Sequence, residues 1–62
     1  MCELSVYTVN GDKRQKVMEG VVRMIPREGK VLIEGILGES MEVQGKLTDV
    51  DIIAQEATIT GV

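Results

Sequence analysis

The chain has 62 residues, which is enough for one small domain, so residues 1–62 are treated as a single unit. A chain of this size buries only about 60% of the surface that it exposes when unfolded, so a second copy or a bound metal would help to stabilise it. Ten acidic residues against seven basic ones give a net charge of −3, which argues against a surface that binds nucleic acid phosphates. The single aromatic residue, Tyr7, provides no stacking platform for bases.

The chain contains one cysteine, Cys2, so no disulfide can form within it. It shows no signal peptide and no apolar run close to the roughly 20 residues that are needed to cross a bilayer. We therefore expect a soluble, cytoplasmic protein with no membrane partner, in a compartment where the thiol stays reduced.

The first predicted strand covers residues 1–9. Leu4, Val6 and Thr8 alternate with their neighbours at the period of two that a pleated strand requires. The same period places Cys2 on the face that carries Leu4 and Val6. The only thiol of the chain therefore stands at the start of this strand, one residue after the terminal amine.

A tight turn with an Asn-Gly sequence follows at residues 10–12. Residues 13–16 are basic and polar, and we predict a solvated loop for them. The second strand is predicted at residues 16–25 because β-branched side chains recur there, and Gly20 within it indicates a bulge or a bend.

The rest of the chain continues as short strands separated by glycine, proline or polar turns. The predicted strands cover residues 30–36, 40–44, 46–53 and 57–60, with turns at residues 26–29, 37–39 and 54–56 and a break at Gly45.

Five or six short strands, with no helical stretch of useful length, predict an all-β protein. The architecture that we expect is a small SH3-like antiparallel barrel, closed or nearly closed. The alternative is an open meander that closes only by pairing with a second copy. In that case the edge of the first strand would form the seam between the two copies.

Cys2 has a structural and a chemical interpretation. A lone cysteine is most often a small apolar residue that fills the end of a strand. A thiol at the extreme terminus has little core to fill, which favours a chemical role. The chain has no histidine, so it lacks both the commonest partner for a zinc site and a base to activate a catalytic cysteine. We therefore do not expect an enzyme.

Other candidate ligands have simpler explanations. Met18, Met24 and Met41 could be soft copper ligands, but their strand spacing favours packing in the core. Asp49 and Asp51 could attract a hard cation, but two carboxylates without further oxygen ligands make a weak site, so we expect a solvated face.

Several short segments spread along the chain form a recognisable order. They are Met1-Cys2, Glu19-Gly20-Val21, Ile36-Leu37-Gly38-Glu39, Gly45-Lys46-Leu47 and Val50-Asp51. In this order the chain resembles the CooT family of small nickel-binding proteins. The resemblance implies an SH3-like fold, a homodimer and one Ni(II) ion held between the paired N-termini. It also implies a role in nickel handling, which for some members is the maturation of carbon monoxide dehydrogenase.

The N-terminus has ligands that suit Ni(II), which favours a square-planar field of thiolate and nitrogen. With Met1 retained, each chain offers its terminal amine, the deprotonated amide nitrogen of Cys2 and the Cys2 sulfur. Without Met1, the amine and thiolate of Cys2 from two chains would complete an N2S2 square. Both routes place the metal site at Met1 and Cys2. The chain has no histidine-rich tail, so we expect delivery of one ion rather than storage.

Two functions of other classes remain open at this point. A small barrel could recognise RNA or a protein partner without any metal, because fold does not fix function. The acidic charge argues against RNA. A purely structural subunit is the third option, and no specific residue supports it.

Overall fold

The computed structural model describes residues 3–61, which form six β-strands and no helix. The strands are β1 (Leu4–Asn10), β2 (Lys13–Arg27), β3 (Lys30–Gly35), β4 (Ser40–Gln44), β5 (Lys46–Asp51) and β6 (Glu56–Thr60). They belong to one sheet in the order β4-β3-β2-β1-β6-β5. The prediction of a small all-β fold with six strands is confirmed.

The long strand β2 is shared by the two halves of the sheet. Its first half pairs with β1, and its second half pairs with β3; both pairs are antiparallel and meet near Val21. The outer strands extend each half by antiparallel pairing, β4 with β3 and β5 with β6. Because the partners of β2 lie on its opposite edges, this strand joins the two halves into one curved sheet.

The neighbours of β1 differ from the expectation in two respects. The strand pairs in parallel with β6, from Ser5 opposite Glu56 to Val9 opposite Thr60, whereas an antiparallel barrel was predicted. A parallel pair needs a long connection, which β2 to β5 provide here. Since β1 has β2 on its other side, its edge is not free, and the prediction that it forms the seam with a second copy is wrong.

The edges of the sheet are β4 and β5, which are joined only by Gly45. The amide of Gly45 donates a hydrogen bond of 3.0 Å to the carbonyl of Gly29, in the turn between β2 and β3. This contact continues the β3–β4 ladder by one residue beyond the Lys30–Gln44 pair and fixes Gly45 to the turn between β2 and β3. Among the described residues no ladder joins β4 to β5, so the sheet is curled but not closed.

The core lies on the concave side of the sheet and is entirely aliphatic. Its buried residues are Val6, Val21, Val31, Ile33, Val43, Ala57 and Ile59. Met18 and Met24 pack against this core, as predicted. Met41 is opposite the buried Ile33 but remains 38% exposed, because it lies on an edge strand with no further strand beside it. The prediction of a core position is therefore wrong for Met41.

Strand ends differ from the sequence prediction where polar residues continue a strand. Residues 13–16 are not a loop: they begin β2 and pair with the end of β1, although all four are exposed. Residues 26 and 27 likewise belong to β2, so only Glu28 and Gly29 form the turn before β3. The polar composition of these residues does not reveal that they continue the strand. They extend beyond the core, where both faces of the strand contact water.

Candidate functional site

The predicted ligands Met1 and Cys2 lie outside the described residues. The chain is described from Glu3, immediately before β1, and Glu3 lies at the rim of a pocket of about 490 Å³. Three segments line this pocket: residues 3–5, Glu19 with Gly20 on β2, and residues 54–56 at the start of β6. The pocket therefore adjoins the part of the chain that leads to the predicted metal ligands.

A bulge in β2 shapes one wall of the pocket. The register between β1 and β2 shifts between Leu4 and Val6, and Gly20 adopts a φ of 65° in the left-handed region. The carbonyl of Gly20 accepts a hydrogen bond of 2.8 Å from the amide of Ile36. A side chain at position 20 would come within 3.6 Å of both Glu3 Oε1 and Ile36 Cγ2. The bulge predicted at this glycine is confirmed, and it brings Glu3 close to the end of β3.

The turn between β5 and β6 forms the opposite wall. The Asp51 carboxylate accepts a hydrogen bond of 2.9 Å from the amide of Ala54, and Gln55 adopts a positive φ of 59°. The carbonyl of Gln55 then accepts a hydrogen bond of 2.9 Å from the amide of Ser5. Because Ser5 is also paired with Glu56, the turn is fixed to the beginning of β1.

Cations on β2 pair with two of the carboxylates that line the pocket. Lys16 contacts Glu19 at 3.2 Å, and Arg14 contacts Glu56 at 3.2 Å. The hydrogen bond to Glu19, and then the charge of that carboxylate, raise the pKa of Lys16. The Arg14 guanidinium also lies 3.7 Å from the centre of the Tyr7 ring. Tyr7 thus packs against side chains of the neighbouring strand β2.

The described residues do not form a metal site by themselves. Within residues 3–61, no three histidine, cysteine, aspartate or glutamate side chains are arranged to hold a metal ion. Asp49 and Asp51 are both exposed, in agreement with the predicted solvated face. The same part of the chain has no helix of the length and apolarity required to cross a bilayer.

Apart from Met41 on β4, the exposed large apolar side chains of residues 3–61 form two groups. The first group comes from the β2 bulge and the connection after β3, and it consists of Val22, Ile36 and Leu37. The second comes from the end of β5 and the turn after it, and it consists of Val50, Ile52 and Ile53.

The second group was missed because residues 46–53 were predicted as one strand. In the structure β5 ends at Asp51, so Ile52 and Ile53 lie in the turn. This turn places glutamine rather than glycine or asparagine at its left-handed position, so the usual signal is missing. The usable signal was Asp51, whose side chain is of the type that accepts a hydrogen bond within a turn.

The chain is similar to known proteins over almost its whole length. Residues 1–60 match the CooT family, described as the CO dehydrogenase accessory protein CooT. No curated protein matches the chain. Among solved structures, the crystal structure of a candidate CooT protein from Carboxydothermus hydrogenoformans is similar, with 30% sequence identity and a TM-score of 0.87. The similarity covers 98% of each chain. The protein described here therefore belongs to the CooT family of CO dehydrogenase accessory proteins.

Proposed function

We propose that this protein binds one Ni(II) ion between two copies of the chain and delivers it to CO dehydrogenase during maturation of that enzyme. The observation that carries the proposal is membership of an accessory-protein family in a chain whose only thiol stands at position 2. Nickel is the cargo in this proposal, and the protein itself catalyses no reaction.

The donor set supports Ni(II) as the cargo. The Cys2 thiolate, the Cys2 amide nitrogen and the terminal amine of Met1 combine the sulfur and nitrogen ligands that Ni(II) accepts in a square-planar field. Ser5, only three positions after Cys2, is fixed by its hydrogen bond to Gln55 and by its place in an interior strand. Ligands at positions 1 and 2 would thus stand directly before a firmly held strand in the sequence.

The first apolar group supports a homodimer. Leu37 is 87% exposed, and Ile36 lies beside the same glycine as Glu3, close to the beginning of the chain. Burial of such side chains by a second copy would be favourable by about 25 cal/mol per Å² of apolar surface. Next to this group, Arg23 and Glu34 are paired at 3.3 Å, and the Glu39 carboxylate accepts a hydrogen bond of 3.1 Å from the Leu37 amide. We therefore assign the seam to Val22, Ile36 and Leu37.

A nickel titration followed by absorption and native mass spectrometry tests the metal site. We expect one Ni(II) per two chains, with a charge-transfer band from the thiolate. Cys2→Ser should lose the band and tight binding, while its circular dichroism stays that of the folded sheet. Nickel affinity should also fall as the pH is lowered, because the ligands must lose protons to bind.

Blocking the terminal amine is the sharper control. An uncleaved tag before Met1 converts the amine into an amide and should greatly weaken nickel binding, whereas a C-terminal tag should not. Equal affinities for tagged and untagged protein, or tight binding by Cys2→Ser, would contradict the proposed ligands. Sedimentation of Leu37→Gln tests the seam, and we expect a shift towards the monomer. An unchanged dimer would exclude this surface as the seam.

A further inference from the structure

The end of β5 and the turn after it expose apolar side chains between carboxylates. Val50 is 47% exposed, Ile52 58% and Ile53 98%. In the sequence Val50 stands between Asp49 and Asp51, and the two isoleucines follow Asp51. Among residues 3–61 neither aspartate takes part in an ion pair. We call residues 49–53 the acidic tip. Val50 lies opposite the buried Ala57 and shares its face of the sheet, whereas Asp49 and Asp51 lie on the other face. The apolar surface beside the two carboxylates is therefore that of Ile52 and Ile53 in the turn, and an apolar surface bordered by charge is typical of a contact with another molecule.

Hydrogen bonds hold the acidic tip in one conformation. The Asp51 carboxylate fixes the amide of Ala54, and the carbonyl of Gln55 is held by Ser5 of the interior strand. The left-handed conformation of Gln55 is strained for a residue with a Cβ, and these contacts maintain it. Because the turn is already ordered, a partner that binds Ile52 and Ile53 would meet little entropic cost from ordering this segment.

We propose that the acidic tip docks this protein onto the nickel enzyme that it serves, by placing Ile52 and Ile53 in an apolar pocket bordered by lysine or arginine side chains. The identity of the enzyme as CO dehydrogenase rests on the proposed function. The docking surface itself rests on the exposure, charge and fixed geometry of residues 49–53.

Charge distinguishes this occupant from a second copy of the chain. Residues 47–62 contain no lysine or arginine, so a symmetric contact through the acidic tip would place Asp49 and Asp51 against their own copies. Like charges at an interface oppose association, whereas a basic border would attract the tip and speed the encounter.

Binding of nickel-loaded protein to purified, nickel-free CO dehydrogenase, measured by biolayer interferometry, tests the proposal. We expect Ile53→Gln to weaken docking by at least about tenfold, as truncation of a central apolar contact does. Met41→Gln makes a similar change on the opposite edge strand and should leave docking unchanged. Asp49→Asn should slow association and reduce its dependence on salt, because it removes one charge of the tip.

Nickel stoichiometry and sedimentation of each variant separate this proposal from the proposed function. Ile53→Gln should bind nickel and form dimers as the unchanged protein does. The docking surface is refuted if Ile53→Gln and Met41→Gln weaken docking equally, if Ile53→Gln dissociates the dimer, or if nickel-loaded protein does not bind the enzyme. Docking by a protein that fails to bind nickel would support the acidic tip and refute the nickel site.

Discussion

The two edge strands of the sheet contribute to the molecule in different ways. Strand β4 places Val43 in the core, and its carboxylate Glu42 pairs with Lys30 of the neighbouring strand at 3.3 Å. Strand β5 has no fully buried residue; only Leu47 packs against the core from it. One edge is thus integrated into the fold by apolar contact and by an ion pair, while the other presents its charges and apolar side chains to solvent.

This difference shows which edge leaves its charges without a partner in the sheet. Edge strands must avoid uncontrolled pairing, and charged side chains are a common protection. On β4 the charge is paired within the sheet. On β5 the carboxylates of Asp49 and Asp51 protect against self-association but remain available to a basic partner. The stability of the fold should therefore depend mainly on β4, and partner recognition mainly on β5.

The largest expected effect comes from the glycine that joins the two edges. Gly45 has a φ of 131°, and a Cβ there would collide with the carbonyl of Thr60 and lie 3.0 Å from Ile59 Cγ2. We expect Gly45→Ala to destabilise the protein by about 3 kcal/mol or more, because it adds overpacking to backbone strain. Urea unfolding followed by circular dichroism would measure this loss.

Gly38, at the other end of β4, is the matched control. Its φ is also positive, but a Cβ there would meet nothing within 4 Å. Gly38→Ala should therefore cost only the strain of a left-handed alanine, about 1–2 kcal/mol. Similar losses of stability for the two variants would show that the structure relieves the collision at Gly45 without cost.

Valine truncation compares the two edge strands directly. Val43→Ala removes buried apolar surface and should cost about 2 kcal/mol, whereas Val50→Ala removes surface that is about half exposed and should cost only about 1 kcal/mol. The midpoints of thermal unfolding would report the difference. If Val50→Ala proved as costly as Val43→Ala, β5 would contribute as much to the stability of the fold as β4 does.

The smallest effect is expected from single charges. Glu42→Gln breaks the exposed pair with Lys30 and should cost less than about 1 kcal/mol, an effect that added salt should diminish. Asp49→Asn breaks no ion pair within residues 3–61 and should leave stability unchanged or slightly higher. Chemical unfolding at low and high salt would distinguish the two. A larger loss for Asp49→Asn would mean that the charge on β5 stabilises the fold.

The period of two located all six strands because the core takes one face of each. The same pattern could not find the polar beginning of β2 or the turn at Ile52 and Ile53, where burial does not decide the conformation. It also could not show that β1 lies inside the sheet and runs parallel to β6, since alternation reports the face of a side chain and not the neighbour of a strand.

Only part of the candidate site could be predicted from the sequence, because some of its features have a local sequence signal and others do not. The bulge at Gly20 has a local signal, because a glycine interrupts a β-branched strand. The pocket beside Glu3 has none, because it forms only when residues 3–5, the bulge and residues 54–56 meet. The nickel ligands Met1 and Cys2 follow from chemistry and from the family resemblance, and they stay a prediction.

The parallel pairing of β1 with β6 also affects when the pocket beside Glu3 can form. The β1–β2 and β2–β3 hairpins need only short turns, but Ser5 can pair with Glu56 only when β6 is present. Sheets with such distant pairings fold on the order of milliseconds to seconds, because loop closure must precede the contact. During synthesis on the ribosome, the first strand therefore emerges with one side unpaired, and the pocket beside Glu3 is completed only after residues 54–56 have been released.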